Sequence, residues 1–122
     1  MNPFRTWVPA VLLAVALSSG SAAAYPLFAS IAYSRSTGAS GFAYNTPTAF
    51  QAQQAARTYC GAWDCQAVVT VANGCAALAL GYGGFGTAYG PYRGMVMSNA
   101  VQACHWNAPG CRLHVWTCTA GH

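Results

Sequence analysis

The sequence predicts an α+β fold in which two pseudo-symmetric strand-strand-helix-strand repeats share one disulfide-stapled core. Three observations support this prediction: an internal repeat, one helical apolar stripe in each copy, and six cysteines in nearly symmetric positions. The first repeat covers about residues 29 to 72 and the second covers about residues 73 to 118.

Matching residues define the repeat. Shifting the sequence by 45 residues aligns residues 30 to 33 with residues 75 to 78, and it places Gly41 on Gly86. Self-similarity at a fixed spacing indicates that each copy is one structural unit. The two units are therefore expected to have the same order of strands and helix.

Each copy contains one predicted helix that opens at a proline, because proline suits the first turn of a helix. The helices run from Pro47 to Tyr59 and from Pro91 to Ala103. Apolar residues at relative positions 0, 3, 4 and 7 form one buried stripe on each helix. The stripes are Ala52, Ala55, Ala56 and Tyr59 in the first copy, and Met97, Ala100, Val101 and Cys104 in the second.

Short apolar segments bounded by turn residues predict six strands. They cover about residues 29 to 34, 41 to 45, 66 to 71, 75 to 80, 85 to 89 and 111 to 118. The chain turns inside each copy at Ser36-Thr37-Gly38 and at Gly81-Tyr82-Gly83-Gly84. Asn73-Gly74 joins the copies, and this pair is a frequent hairpin turn.

The first 24 residues have the pattern of a secretory signal peptide. Arg5 precedes an apolar run from Trp7 to Leu17, and small residues lead to Ala24. The run is shorter than a membrane-spanning helix requires, although an uncleaved membrane anchor is the alternative. We therefore expect residues 25 to 122 to form a single domain without a transmembrane segment, secreted or held in the cell envelope.

An even number of cysteines in an exported chain indicates disulfides. The cysteine spacings differ from the close C-x2-C pairs of zinc sites, so no metal is expected. Two pairs would close equivalent loops at the helix exits, and the remaining two cysteines would form a long bridge. The expected pairs are Cys60 with Cys65, Cys104 with Cys111, and Cys75 with Cys118.

Composition excludes several kinds of function. Hydrophobic residues make up 55% of the 122 residues and charged residues 5%, which argues against disorder and nucleic-acid binding. Asp64 is the single acidic residue, so mechanisms that need two carboxylates are excluded. No G-x-S-x-G sequence supplies a nucleophile, and the glycines from Gly81 to Gly86 precede a strand rather than a helix. We expect no enzymatic activity and no cofactor.

Two surfaces remain as candidates for binding. Trp63 and Trp106 lie in the two equivalent cysteine-bounded loops, where each is either an exposed tip or a cap on its own helix end. On the last strand, Arg112, His114 and Trp116 alternate with core residues and would form one row. Trp and Arg are enriched at contact surfaces, although a neighbouring helix would be an alternative cover for Trp116.

These surfaces predict a secreted, non-enzymatic interaction module, an effector or envelope protein that binds a protein partner not yet identified. An inhibitor of an envelope enzyme would be one form of this function. The alternative is a carbohydrate or cell-wall binding module that uses Trp63, Trp106 and the tyrosines. A serine hydrolase would have to recruit Asp64 with one of the three histidines, and this arrangement is disfavoured.

Four segments of the sequence resemble one exported bacterial family, known as domain of unknown function 4189. These are Ile31-Ala32-Tyr33-Ser34, Thr37-Gly38-Ala39, Asn73-Gly74-Cys75-Ala76-Ala77-Leu78-Ala79 and Val115-Trp116-Thr117-Cys118. The resemblance extends from about Ala29 to Cys118 and implies a small secreted module without an assigned reaction. Members of that family occur in actinobacteria and proteobacteria, and some are exported by mycobacteria. Relatives tend to carry acidic residues in the first helix, whereas this chain has Gln51, Gln53 and Gln54.

Overall fold

The computed structural model describes residues 25–122, and the expected signal peptide at residues 1–24 lies outside them. The strands are β1 Phe28–Tyr33, β2 Ser40–Thr46, β3 Gln66–Ala72, β4 Cys75–Gly81, β5 Gly84–Gly90 and β6 Arg112–Cys118. The helices are α1 Ala49–Cys60, between β2 and β3, and α2 Arg93–His105, between β5 and β6. Two strand-strand-helix-strand units follow each other, so the predicted fold class is confirmed. Neither helix of the described residues is long and apolar enough to cross a membrane.

Each repeat forms its own three-stranded antiparallel sheet, with strand orders β2-β1-β3 and β5-β4-β6. The two sheets pack face to face, and a helix covers the outer face of each, which makes four layers. Between the sheets lies an apolar cluster of Ala29, Ile31, Val69, Val71, Ala76 and Leu78. Since both apolar sheet faces are buried in this cluster, the two repeats share one core.

The helices lie very close to their sheets. Gly41 on β2 faces the backbone of α1, and Gly86 on β5 faces the backbone of α2. The buried stripes are therefore narrow and consist of small residues at every fourth position. They are Ala52, Ala56 and Cys60 on α1, and Val96, Ala100 and Cys104 on α2.

Two predictions about the helices were wrong: the residues of the buried stripe on α1 and the residue at which each helix begins. Tyr59 was expected in the buried stripe of α1, but its side chain is 72% exposed, because the contact has no room for a ring. Both helices also begin later than their prolines. Thr48 caps α1 by accepting a hydrogen bond from the Gln51 N–H at 3.1 Å, so Pro47 lies before the cap.

The Asn73-Gly74 turn joins two sheets instead of forming a hairpin. Asn73 has a left-handed φ of 49°, and its side chain accepts a hydrogen bond from the Leu27 N–H at 3.0 Å. The strands on either side of the turn, β3 and β4, belong to different sheets. The apolar faces of the two sheets must meet, so the chain crosses between layers at this point.

Strand pairing also corrects the alignment of the repeats. Ala32 pairs with Gly41 in the first repeat, and Ala79 pairs with Gly86 in the second. The structural counterpart of Ala32 is thus Ala79, two residues beyond the Ala77 that the constant spacing aligns with it. The difference arises because the connection between the first two strands is longer in the first repeat than in the second.

The described residues contain three disulfides and no free cysteine. The pairs are Cys60–Cys65, Cys75–Cys118 and Cys104–Cys111, as the symmetry predicts. The short bridges close the loops that follow α1 and α2. The long bridge joins directly paired residues of β4 and β6, so it lies within the second repeat.

Candidate functional site

The two cysteine-bounded loops lie at the same end of the molecule. The first loop is tied to the connection between β1 and β2, because the Ser36 N–H donates to Asp64 Oδ2 at 3.2 Å. The second loop is tied to the connection between β4 and β5, where the Tyr82 N–H donates to the Pro109 carbonyl at 2.9 Å. Arg35 in the first of these connections lies over the Phe85 ring at the start of β5, 5.2 Å from its centroid. The loops therefore flank one common surface.

Both loop tryptophans project into solvent. Trp63 is 90% exposed and Trp106 is 84% exposed, so neither indole caps its own helix by packing against it. The disulfides hold the loops that carry them. Each tip is therefore a large apolar side chain presented on a braced backbone.

Positive charge accumulates at the same end. Arg57 lies in the last turn of α1, and Arg112 is the first residue of β6, which pairs with the end of β4. Together with Arg35 these are three of the four arginines in residues 25–122. We call this surface the loop end and define it by Trp63, Trp106, Arg35, Arg57 and Arg112.

Asp64 has a structural part in this surface. The buried Ser34 donates a hydrogen bond from its hydroxyl to Asp64 Oδ1 and accepts one from the Thr37 N–H at 3.1 Å. This network fixes the β1–β2 connection against the loop that carries Trp63. The hydrogen bond from Ser34 is the main reason that the pKa of Asp64 lies below its ordinary value of 3.8, with smaller help from Ser36. Asp64 is thus engaged as a carboxylate.

The predicted row on β6 is divided by a β-bulge. Leu78 pairs with Val115 and Ala79 pairs with Leu113, so His114 has no direct partner on β4. The bulge resets the alternation of side chains along the strand. Leu113 consequently packs against the cluster beneath α2, whereas Val115 packs between the sheets. Arg112, His114 and Trp116 are exposed, but they do not form the single row that alternation predicts.

The two later residues of that row have separate neighbours. His114 Nε2 lies 3.1 Å from the Ser40 hydroxyl on β2, across the junction of the two sheets. Trp116 is 40% exposed, and the Arg93 guanidinium lies 4.9 Å from its ring centroid. Of the five residues that the sequence singled out, Trp63, Trp106 and Arg112 therefore belong to the loop end. His114 and Trp116 lie further along β6.

The contact between His114 and Ser40 has the distance of a base beside a nucleophile. In serine hydrolases a carboxylate orients the second ring nitrogen of that histidine. The only acidic side chain of this protein, Asp64, is bound to Ser34 and Ser36 instead. Asp64 therefore does not orient His114, and the observed contact with Ser40 links the two sheets.

Residues 25–122 contain no cluster of three or more His, Cys, Asp or Glu side chains able to hold a metal ion. Each described cysteine is oxidised in a disulfide, which removes thiolate ligands and thiol nucleophiles. The polar and aromatic groups at these surfaces include rings, hydroxyls, imidazoles and guanidinium groups, together with the Asp64 carboxylate that Ser34 and Ser36 hold.

Sequence reasoning missed an open groove of about 760 Å³ where β2, α1 and β6 meet. Its aromatic walls are Phe42, Tyr44 and Tyr59, which are 41%, 54% and 72% exposed. The alternation of Phe42 and Tyr44 with Gly41 and Ala43 along β2 was a signal for it. We call this feature the aromatic groove and define it by Phe42, Tyr44, Tyr59 and His114.

Comparison with known proteins identifies relatives but no activity. The solution structure of Rv1813c from Mycobacterium tuberculosis is similar in fold, with a TM-score of 0.57 and 30% sequence identity over 80% of this chain and 78% of that one. No curated protein sequence matches the chain. A family model described as domain of unknown function (DUF4189) matches residues 28–118, which include every described strand and helix. The chain therefore belongs to the DUF4189 family.

Proposed function

We propose that this protein is a secreted, non-enzymatic interaction module that binds a protein partner through the loop end. One observation carries the proposal: two tryptophans in equivalent loops are almost fully exposed at the same end of the molecule. Exposed indoles are unfavourable in water, and rigid aromatic side chains contribute contact area at low entropic cost. Nothing in the packing of residues 25–122 requires Trp63 or Trp106 to be tryptophan.

The charge of the loop end defines the chemistry of the partner. Arg35, Arg57 and Arg112 have no carboxylate partner among the described residues, since Asp64 is held by serine. Guanidinium groups that have no carboxylate partner, placed around apolar anchors, complement a partner that presents carboxylates around an apolar pocket. The partner we propose is therefore an acidic protein surface, and an envelope enzyme inhibited by this module would be one example.

Secretion is part of the same proposal. The expected signal peptide supports it, and so do the three disulfides, because disulfides form and persist mainly in oxidising compartments. The loop end also depends on oxidation, because a disulfide closes each of the loops that carry its tryptophans.

Affinity capture with matched variants tests the proposal. Immobilised wild type and a Trp63→Ala/Trp106→Ala double variant are exposed to the same bacterial envelope extract and culture medium. We expect the wild type to retain a partner that the double variant loses, with retention weakening as salt increases. A Phe42→Thr/Tyr59→Ala variant, altered only in the aromatic groove, should still capture that partner.

Folding and catalysis need separate controls. The exposed indoles should be removable with little change in melting temperature, whereas truncation of a core tryptophan costs about 3 to 5 kcal/mol. Equal recovery of every partner by the folded double variant would refute the role of the loop end. A hydrolytic turnover that is abolished by His114→Ala alone would overturn the non-enzymatic assignment.

A further inference from the structure

The aromatic groove has the lining of a site for an uncharged polar ligand. Rings supply its walls, and hydroxyl groups of Ser40, Tyr44 and Tyr59 and the imidazole of His114 supply hydrogen-bonding groups. Neither phenol hydroxyl donates to or accepts from another residue of the described range, so both are available to a ligand. No arginine lines the groove, and neither does Asp64. Charge complementarity therefore favours a neutral ligand here, in contrast to the loop end.

Comparison of the two repeats shows that rings at two positions of the aromatic lining are not needed for folding. The equivalent depression in the second repeat is smaller, about 430 Å³, and it places Thr87 and Ala103 where the first has Phe42 and Tyr59. Gly86 has the same backbone contact with its helix as Gly41, so the surrounding framework is preserved. The same framework thus accepts small side chains at these two positions. The rings of Phe42 and Tyr59 are therefore available for another purpose.

The shape of the surface favours a chain-like ligand. Phe42 and Tyr44 also line an adjoining depression of about 420 Å³ that ends at Trp116 and the C-terminal residues. The two depressions form one continuous strip along β2 and β6. Four aromatic side chains follow this strip: Tyr59, Phe42, Tyr44 and Trp116.

The backbone of β2 disfavours an extended peptide in this strip. Its pairing with β1 shifts register between Phe28 and Ser30, and Asn45 adopts a left-handed φ of 58°. The Ala120 N–H then donates to Asn45 Oδ1 at 2.7 Å, which brings the C-terminal tail onto the end of the strand. A bulged and partly covered edge is unsuited to pairing with another strand. Ring faces and hydroxyls, rather than backbone groups, remain to bind the ligand.

We infer that the aromatic groove binds an uncharged oligosaccharide. The apolar C–H faces of pyranose rings pack on aromatic side chains, and their hydroxyls exchange hydrogen bonds with phenol, serine and imidazole groups. A β-linked glucose or N-acetylglucosamine chain presents such faces in succession, which matches the succession of rings along the strip. This site is separate from the loop end and does not depend on the proposed protein partner.

The test uses the oxidised protein and two neutral tetrasaccharides, cellotetraose and tetra-N-acetylchitotetraose. Nuclear magnetic resonance titration of isotope-labelled protein reports which residues respond, and calorimetry gives the affinity. We expect saturable shifts at Phe42, Tyr44 and Tyr59 with at least one of the two sugars. The Phe42→Thr/Tyr59→Ala variant, which copies the second repeat, should bind about tenfold more weakly or worse, at an unchanged melting temperature.

A second variant separates this site from the loop end. Trp63→Ala/Trp106→Ala should bind the tetrasaccharide as the wild type does, even if that variant has lost its protein partner. Three results would overturn the inference: no saturable shift with either sugar, equal affinity in the Phe42→Thr/Tyr59→Ala variant, or shifts confined to the loop end. Binding of a neutral eight-residue peptide to the same strip in place of both sugars would also overturn it, and would assign the groove to peptides.

Discussion

Replacing Gly41 by alanine should destabilise the protein strongly, because β2 and α1 touch through their backbones at this residue. An added Cβ would lie 2.2 Å from the Cys60 nitrogen and 2.5 Å from the Ala56 carbonyl oxygen. Neither atom is the end of a flexible side chain, so α1 must move outward by about 1 Å to restore an ordinary contact. That movement would loosen the cluster of Ala32, Ala56, Cys60 and Cys65 beneath the helix.

Overpacking of this kind costs about 1 to 3 kcal/mol, and we expect Gly41→Ala at the upper end because the obstacle is backbone. The repeat supplies a matched experiment. At Gly86 the Cβ would lie 2.1 Å from the Cys104 nitrogen, so Gly86→Ala should have an effect of the same size. Gly94 in α2 has nothing within 4 Å of an added Cβ, and Gly94→Ala should stabilise the protein by about 0.4 to 1 kcal/mol.

Urea unfolding of the oxidised proteins, followed by far-ultraviolet circular dichroism, measures these differences. Fluorescence is a poorer probe, since Trp63 and Trp106 are already exposed in the folded state. A Gly41→Ala protein within about 0.5 kcal/mol of wild type would refute the argument from backbone contact. Equal losses for Gly41→Ala and Gly94→Ala would refute it as well.

Three further outcomes are expected. Replacing Cys75 and Cys118 together by alanine should lower the free energy of unfolding by about 4 kcal/mol in the chain-entropy model, and non-reducing peptide mapping should find these two residues linked in the wild type. Asp64→Asn should destabilise the protein near neutral pH, where the carboxylate with its lowered pKa is ionised and bound to Ser34. In thermal melts this difference should shrink as the pH falls below about 4, because protonation removes the same interaction from the wild type. Mass spectrometry of the exported protein should find Tyr25 at its N-terminus, and an intact first methionine on most of the mature protein would contradict the signal-peptide prediction.

The order of strands and helices could be predicted because it rests on local patterns. Apolar periodicity located both helices, and the cysteine positions indicated the same loop after each. The assignment of strands to sheets could not be predicted in the same way. Asn73-Gly74 specifies a tight turn, but whether the next strand pairs or crosses to another layer depends on which apolar faces must meet.

The candidate surfaces could be predicted where they depend on local patterns, and not where they depend on packing between distant elements. Trp63 and Trp106 were found because they lie in equivalent loops of the two repeats. The bulge at His114 has no sequence marker, since an extra residue in a strand leaves the local composition unchanged. The exposure of Tyr59 depends on how closely α1 approaches Gly41, and that distance arises from packing between elements distant in sequence.

In the part of the chain that the structure describes, no disulfide connects the two repeats. Within residues 25–122 they are joined covalently through the main chain at Asn73-Gly74. The apolar cluster between the sheets holds them together, and polar contacts such as Ser40 with His114 add to it. The architecture thus resembles a dimer whose two similar halves are joined in one chain. A half on its own would expose its apolar sheet face and would need a second copy to cover it. Fusion keeps the halves at high effective concentration and removes the requirement that they be identical. One half can therefore keep Thr87 and Ala103 where the other half has Phe42 and Tyr59. In a symmetric homodimer both halves would carry the same side chains at these positions.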